Sequence, residues 1–504
     1  MKNRSFSTQV IASLLLAMAT LGLTACANRI YYYPEYNYAG RPTPPSGLLQ
    51  RVLVAYTSVG TSGGLQILDG LRDIRSNVQN TIPGFSISGY SAADPIQILN
   101  YPEETTGYVL SYTDGTLGKV NYSTEASAGS AASFGSTTPS AAAASDGSIF
   151  AGAAEQAGTL VVSYGGSTFY LNLPNVDKAV IDQGNGVILA MVRNSNTMYR
   201  VVKLPATNNP VTPPGAVDCE PLLLPVLCVV PVAGTYDRPT DVKFSLDGTT
   251  AYVLNSGPEY GGTTASVTFL QEGALNINSV PTVNPLSPGA PSPMETLPVA
   301  NPVPIPGGVT AAVSDGTYLY LSGQQLQPSG LFAGYLTLLN LATDQTAAPI
   351  SISDGTHTRM LLADDNTLWI GSHLCASGVR AALAAKGNTT QAANTNCLTM
   401  VTLNGTTTPT AQIIPAVSAT ATNPVTVPYP NTNQNLYYYG DLTGICWVQG
   451  YHKVYTAYGG QIHAFYTDAT SVGPAGSEIN NYYITVQGTV LDVAYMDALT
   501  NSAD

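Results

Sequence analysis

The chain is 504 residues long; 44% of its residues are hydrophobic and only 10% are charged. A charged fraction this far below the ordinary ~25%, together with 48 glycines and 35 prolines, is typical of a β-rich protein with many turns. The net charge of −13 argues against binding to nucleic acid and against adhesion to an anionic membrane surface.

The N-terminus has the parts of a cleavable secretion signal. Lys2 and Arg4 precede an apolar run over residues 10–23, which is shorter than the about 20 residues that a membrane span needs. The motif Leu23-Thr24-Ala25-Cys26 then resembles the lipobox of bacterial lipoproteins. The resemblance implies cleavage before Cys26 and acylation of its sulfur and of the new amino group. The alternative is an ordinary signal peptide with an incidental cysteine.

These features predict three regions: a signal peptide over 1–25, a lipidated cysteine with a tether over 26–47, and a folded domain over 48–504. Residues 28–47 contain five tyrosines and four prolines, and proline-rich segments are extended. Several acyl chains anchor a protein stably, so we expect a location in the cell envelope, attached to the membrane through Cys26. Ala27 follows the cysteine, and the absence of an aspartate there favours the outer membrane, facing either the periplasm or the exterior.

The rest of the chain repeats a strand–turn–strand unit. In the clearest copy, 239–257, two β-rich runs flank the tight turn at Asp247-Gly248, which is a strong hairpin signal. The other copies lie at 96–112, 140–152, 178–192, 309–322, 358–372 and 444–458.

The two ends of the domain complete each other. Residues 489–496 resemble a first strand without a successor, whereas 51–56 and 64–68 resemble second and third strands without a predecessor. Joining them makes one composite blade and removes the open sheet edges. With the seven internal units, this predicts an all-β protein with a single β-propeller of eight four-stranded blades; seven blades is the alternative if one unit is miscounted.

A family resemblance supports this fold. Phe244-Ser245-Leu246-Asp247-Gly248, followed by Ala251-Tyr252-Val253-Leu254-Asn255, resembles the repeat of the YVTN-type β-propellers, which the lactonase-like propellers share. The resemblance covers most of the chain after the tether, although only this repeat is sharp. It implies the fold and not an activity, because one fold serves many functions.

Four insertions, at 205–231, 276–306, 375–397 and 405–430, separate the repeats, and a short helix is predicted over 379–386. Two of them contain cysteine pairs, for which we predict the local disulfides Cys219–Cys228 and Cys375–Cys397 in an oxidising compartment. Both bridges are expected outside the blade strands. Cys446 lies in an apolar run, which predicts a free and buried thiol.

Few ionisable residues converge in this topology. The loop before the first strand of a blade and the loop between its second and third strands lie on one face. The residues that we expect to face a ligand there are Asp237, Arg238, His357, Arg359, His373 and Asp441.

Three interpretations of these residues are open: a metal or ligand site, a general-base site, and solvated loop residues. Two histidines without a carboxylate pattern satisfy neither a zinc triad nor a catalytic dyad, so we expect no metal, no cofactor and no catalytic residue. His452 and His463 are interpreted as structural, and Asp364-Asp365-Asn366 as a hairpin turn.

The sequence therefore predicts a binding or scaffold module of the cell envelope, with an envelope protein or a polysaccharide as its partner, because function generally resides in the loops of a rigid scaffold. The alternative is a lactonase-like hydrolase that acts on a lactone or sugar derivative at the central channel. Such an enzyme needs several carboxylates and histidines at one mouth of the channel. A purely structural subunit of an envelope assembly is the third class.

We predict that Cys26→Ser abolishes lipidation, because the sulfur that carries the acyl chains is lost. Metabolic labelling with a radioactive fatty acid measures this directly, and the variant protein is expected to be released or retained as its precursor. Equal labelling of the variant and the wild type would contradict the lipobox.

Overall fold

The computed structural model describes residues 42–58, 62–71, 85–207, 210–287, 302–328, 331–389, 397–403, 409–414, 427–428, 435–436, 442–458, 461–470, 473–479 and 488–499. Cys26, most of the predicted tether and Asp441 lie outside these residues. The described chain is almost entirely β-structure, and its strands form eight antiparallel blades.

We number the blades along the chain and give their strands from the innermost outward. Blade 1 contains Thr489–Tyr495, Arg51–Thr57, Ser62–Asp69 and Phe85–Ser86, with Ala92–Ala93 also paired to Ser62–Asp69. Blade 2 contains Pro95–Leu99, Thr106–Ser111, Thr116–Asn121 and Ala126–Ser133. Blade 3 contains Ser140–Ala143, Ile149–Ala154, Thr159–Tyr164 and Ser167–Asn172. Blade 4 contains Val176–Ile181, Ile188–Val192, Met198–Lys203, Leu227–Pro231 and Asp218–Glu220.

The second half of the ring follows the same order. Blade 5 contains Pro239–Phe244, Thr250–Asn255, Ser266–Gln271 and Val303–Pro304. Blade 6 contains Ala311–Ser314, Tyr318–Leu326 and Phe332–Asn340, to which Gln345–Thr346 and Ile350–Ile352 both pair. Blade 7 contains Thr356–Ala363, Thr367–His373, Cys397–Thr402 and Thr410–Ile414. Blade 8 contains Leu442–Val448, Lys453–Tyr458 and Gln461–Tyr466, with a single bridge from Phe465 to Glu478.

Few other elements are described. A two-stranded sheet joins Val427–Pro428 to Asn435–Leu436, and short helices cover Glu272–Leu275 and Ser377–Ala385. Three 3-10 turns lie at Glu155–Ala157, Gly257–Tyr260 and Asp364–Asn366. Among the residues described, no helix has both the length and the hydrophobicity that crossing a bilayer requires.

The hairpin of blade 5 shows why the repeat folds as it does. Asp247 accepts hydrogen bonds from the hydroxyl of Ser245 (2.6 Å) and from the backbone N–H of Thr249 (3.2 Å). Gly248 has a φ of +67°, which a glycine adopts without steric cost. The turn therefore sets the register in which Val242 lies opposite Val253.

The core consists of the surfaces between neighbouring blades. In strand Arg51–Thr57, Leu53 and Ala55 pack toward blade 2, whereas Val52 and Val54 pack toward blade 8, as the alternation of side chains along a strand requires. Eight such clusters are present, one for each pair of adjacent blades. The ring is therefore a closed β-propeller of eight blades, as the repeats predicted, and the alternative of seven is wrong.

The predicted closure is also confirmed. Strand Arg51–Thr57 pairs antiparallel with Thr489–Tyr495, with Leu53 opposite Ala494. Thr489–Tyr495 is therefore the innermost strand of blade 1, and Arg51–Thr57 is the second strand of the same blade.

Both predicted disulfides are present, and Cys446 is free and buried. We expected both disulfides to lie outside the blade strands, and this expectation was wrong. Cys219 and Cys228 face each other on the two outermost strands of blade 4, and Cys397 begins the third strand of blade 7. The prolines between residues 205 and 226 indicated a loop, but the apolar run Leu227–Pro231 supplies a fourth strand that blade 4 needs to cover Met198–Lys203.

A buried ion cluster reinforces the closure. The guanidinium of Arg51 lies 3.0 Å from a carboxylate oxygen of Glu125 in blade 2 and 2.7 Å from one of Asp497, which follows the closing strand. All three side chains are at most 8% exposed. Glu125 also accepts hydrogen bonds from the backbone N–H and the hydroxyl of Ser46. The cluster thus joins both chain ends to blade 2.

We predict that Arg51→Met lowers the free energy of unfolding by about 3–5 kcal/mol, because two buried carboxylates lose their counter-charge. Urea unfolding followed by circular dichroism measures the change. The matched control is Arg193→Met, since Arg193 pairs with Glu155 and Asp177 but is 52% exposed; its loss should cost at most about 1 kcal/mol. Equal costs for the two variants would show that the cluster does not stabilise the closure.

Candidate functional site

The innermost strands of six blades share one irregularity, a β-bulge. In each of these strands, one residue is left out of the pairing with the second strand of the blade. This extra residue shifts the alternation of side chains along the innermost strand by one position. The residues that resume the pairing are Gln97, Lys178, Asp241, Arg359, Gly444 and Asp492. All except the glycine line the central channel of the ring.

This channel contains a cavity of about 370 Å³, which is within the usual size range for small-molecule sites. Its charged lining residues, among those described, are three cations and two carboxylates: Lys178, Lys243, Arg359, Asp241 and Asp492. When all five groups are ionised, the lining of the channel carries a net charge of +1, whereas the whole chain carries a net charge of −13.

The first part of the charged lining is a carboxylate between two lysines. Asp241 lies 2.7 Å from the ammonium of Lys178 and 3.6 Å from that of Lys243. Burial opposes ionisation of Asp241, but the two ammonium groups outweigh it and hold its pKa below the ordinary value. Desolvation in the channel lowers the pKa of Lys178, and the charge of Asp241 opposes this shift. Both oxygens of Asp241 thus have cationic partners, and one also accepts the backbone N–H of Val242 (2.9 Å).

The second part is a looser pair. A guanidinium nitrogen of Arg359 lies 3.9 Å from Asp492, which is longer than a hydrogen bond, while its Nε donates to the carbonyl of Thr443 (3.0 Å). Asp492 accepts the backbone N–H groups of Ile98 (2.7 Å) and Val493 (3.0 Å). Burial raises the pKa of Asp492 to about 6, although Arg359 and the two N–H groups act in the opposite direction.

Gly444 occupies the corresponding bulge position of blade 8 because Asp492 needs the space. A Cβ at residue 444 would lie 2.2 Å from a carboxylate oxygen of Asp492 and 2.6 Å from the backbone nitrogen of Val493. The glycine therefore makes room for the carboxylate in the channel.

The bulge residues also connect four pairs of adjacent blades. Asp492 of blade 1 accepts the N–H of Ile98 in blade 2, and Gln97 of blade 2 accepts the N–H of Ala141 in blade 3 (3.2 Å). Lys178 of blade 4 pairs with Asp241 of blade 5, and Arg359 of blade 7 donates to blade 8. These contacts hold the polar lining in place and make it part of the ring.

The lining also contains polar atoms without a partner in the described part of the chain. The indole N–H of Trp447 and the amide oxygen of Asn100 are buried and have no hydrogen bond there. The aromatic side chains along the channel are Tyr101, Phe244, Trp447 and Tyr495. These aromatic residues also pack in the clusters between blades, so the channel combines charged groups with apolar walls, as small-molecule sites usually do.

Of the predicted ligand-facing residues that the structure describes, only Arg359 lines the channel. His357 was expected before the first strand of blade 7, but it lies within strand Thr356–Ala363 and is 1% exposed. Its Nε2 contacts the carbonyl of Ser353 at 3.0 Å, and burial lowers its pKa to about 4, so it is neutral at physiological pH. His373 is the last residue of its strand, paired with Thr356.

Asp237 and Arg238 lie in the predicted loop before blade 5, where their contacts are to other loops. Asp237 accepts the backbone N–H groups of Thr263 and Thr264, both at 2.7 Å. The guanidinium of Arg238 donates to the carbonyl of Asn194. The contacts of Asp237 hold the loop between the second and third strands of blade 5, and the contact of Arg238 holds the equivalent loop of blade 4. Asp441 lies outside the described residues.

Sequence reasoning missed Lys178, Asp241, Lys243 and Asp492. Each lies in an innermost strand among apolar residues, and a charged residue in such a strand was the available signal. A bulge decides that Lys178, Asp241 and Asp492 face the channel, and no local motif marks the bulge.

The fold and the channel define the class of protein: a closed eight-bladed β-propeller with a cationic central channel. No family model matches the chain, and no curated protein matches it. Dihydro-heme d1 dehydrogenase has a similar structure, with a TM-score of 0.49 and 11% identity over 92% of this chain and 82% of its own.

Two further solved structures are similar at the same level. Hydrazine synthase of Kuenenia stuttgartiensis gives a TM-score of 0.43 at 13% identity, over 78% of this chain and 99% of that one. A protein from Bacteroides fragilis, provisionally assigned as a 6-phosphogluconolactonase, gives 0.41 at 11%, over 88% and 97%. These values transfer no activity, and the assignment of the fold rests on the strand pairing.

We predict that Asp492→Asn changes the pH dependence of stability. Because the pKa of Asp492 is raised from 3.8 to about 6 in the folded protein, the folded state binds an extra proton between these values. The free energy of unfolding of the wild type therefore falls as the pH rises through this window, by about 3 kcal/mol at most.

The asparagine cannot titrate, so the variant should gain stability relative to the wild type between pH 4 and pH 7. Urea unfolding of both proteins across this range measures the difference. Parallel pH profiles would contradict the raised pKa.

Proposed function

We propose that this protein is a lipid-anchored protein of the cell envelope, and that its propeller is a binding module whose central channel receives an acidic sugar, such as the uronic acid end of an envelope polysaccharide. The observation that carries the proposal is the cationic channel with Lys178, Lys243 and Arg359 around a cavity of about 370 Å³.

The chemistry of the lining supports an anionic ligand. Only the Nε of Arg359 has a hydrogen-bond acceptor within the described residues, and Asp492 lies at 3.9 Å. The remaining N–H groups of the guanidinium are thus available for a carboxylate, which arginine binds in a planar, bidentate manner.

The lining supports a hydrolase less well. The described channel residues include two carboxylates and no histidine, and both carboxylates already accept backbone hydrogen bonds. A general base must reach the proton that it abstracts, and neither group has an unengaged oxygen. A lactonase-like activity is therefore the alternative, and the experiment on the channel variants tests it as well.

The test is calorimetric titration of the purified protein with glucuronate and galacturonate, with glucose as the uncharged comparison. We expect the acids to bind and glucose to bind far more weakly. Lys178→Gln and Arg359→Gln should each weaken acid binding about ten- to hundredfold, the value of one lost charge-assisted hydrogen bond. The matched control is Arg193→Gln, which removes an exposed cation that does not line the channel.

A second readout uses the pH. Asp492, with a pKa of about 6, gains a proton between pH 7 and pH 5, so the channel loses a negative charge and acid binding should become tighter. Equal affinity for glucose, or no loss in either channel variant, would refute the proposal. If the protein hydrolyses a sugar lactone and Arg359→Gln abolishes this activity, the proposed binding function is replaced by a hydrolase function. If an envelope complex co-purifies with the protein and no sugar binds, a structural role is favoured.

A further inference from the structure

A second cluster of polar residues lies away from the channel, where a turn of blade 7 meets a turn of blade 8. The turn at Asp364–Asn366 joins the first two strands of blade 7, and residues 449–452 do the same in blade 8. The carboxylate of Asp364 accepts the backbone N–H groups of Gly450 (3.2 Å) and His452 (2.8 Å). This contact fixes the second turn against the first.

The fixed turns bring three possible ligand groups together. The Nδ1 of His452 lies 2.7 Å from an oxygen of Asp365, and the hydroxyl of Thr467 donates to the same oxygen at 2.6 Å. Asp468, which follows the third strand of blade 8, completes the group. One ligand atom of each of Asp365, His452 and Asp468 lies within 4.8 Å of the others.

An independent observation concerns Asp468. Its Oδ1 is inaccessible to solvent, and no residue that the structure describes donates a hydrogen bond to it. Removing a carboxylate oxygen from water without a partner is costly. A cation bound among Asp365, His452 and Asp468 would place a positive charge beside the Asp468 carboxylate, one oxygen of which has no donor among the described residues.

We propose that Asp365, His452 and Asp468 form a binding site for a divalent first-row transition metal, with Zn²⁺ as the best match. An imidazole with two carboxylates is a donor set that such ions take, and hard ions such as Ca²⁺ prefer oxygen ligands alone. The side chains of His452 and Asp365 are 50% and 30% exposed, which leaves the outer side open for water as a further ligand.

The site joins two blades. Asp365 belongs to blade 7, whereas His452 and Asp468 belong to blade 8, and at this turn the two blades are otherwise joined by the hydrogen bonds of Asp364 and Asp365. A bound ion therefore cross-links the ring, and because it binds the folded state only, it stabilises that state in proportion to its concentration.

The experiment is a titration of the metal-free full-length protein with ZnCl₂ at pH 8, where a proton competes less for the imidazole. A chromophoric chelator reports the free zinc. All proteins carry Cys26→Ser, so that an unmodified N-terminal thiol cannot bind the metal. We expect one equivalent of Zn²⁺ at micromolar affinity or tighter, a higher melting temperature with zinc, and weaker binding of Ca²⁺ and Mg²⁺.

The variants His452→Gln and Asp468→Asn should each weaken zinc binding by at least about tenfold and remove the gain in melting temperature. The matched control is Asp146→Asn, because Asp146 occupies the corresponding exposed turn of blade 3 and accepts the N–H of Ser148 (2.9 Å) without a histidine nearby. Circular dichroism of every variant without metal checks the fold.

Absence of zinc binding by the wild type would overturn the proposal. So would equal affinities for the two site variants and the control, or a preference for Ca²⁺ over Zn²⁺. None of these outcomes bears on the channel, whose ligand is tested with separate variants.

Discussion

The pairing between Arg51–Thr57 and Thr489–Tyr495 is the interaction on which the rest of the structure depends. A blade is covered only when both neighbours are present, so an open ring would expose the apolar faces of blades 1 and 8 and their strand edges. The closing strand also carries Asp492 into the channel, and the ion cluster of Arg51 holds both ends beside it. Closure therefore completes the channel at the same step as the fold.

The bulge in the innermost strands connects this architecture to chemistry. A strand that alternates regularly shows one side to each neighbouring blade, and an extra residue resets this alternation locally without breaking the pairing on either side. The chain uses one bulge position for a neutral amide at Gln97, cations at Lys178 and Arg359, and carboxylates at Asp241 and Asp492. The charge of the channel is thus decided by which residue each blade places there.

Carboxylates in different parts of the ring have different partners. Asp241 is compensated by two lysines, and Asp492 by backbone N–H groups with a more distant arginine. Asp468 has an oxygen without any partner among the described residues. The first two therefore belong to the framework of the channel, in which the guanidinium of Arg359 keeps N–H groups for a ligand, and the third is the carboxylate for which we propose a bound cation.

The sequence by itself determined most of the strands, their turns, the closure and the pairing of the four cysteines, and it favoured eight blades over seven, because each depends on local alternation, turn residues or cysteine spacing; the outer strands of blades 4 and 7 lie in segments that it indicated as loops. It did not determine the candidate sites. Arg359 was selected for its place near a loop, whereas Lys178, Asp241 and Asp492 meet it only because the ring closes and the bulges direct them inward. His452, interpreted from its turn alone as structural, meets Asp365 and Asp468 only where two blades pack. Tertiary structure decided these groupings, because side-chain direction and proximity across blades have no signature within a single repeat.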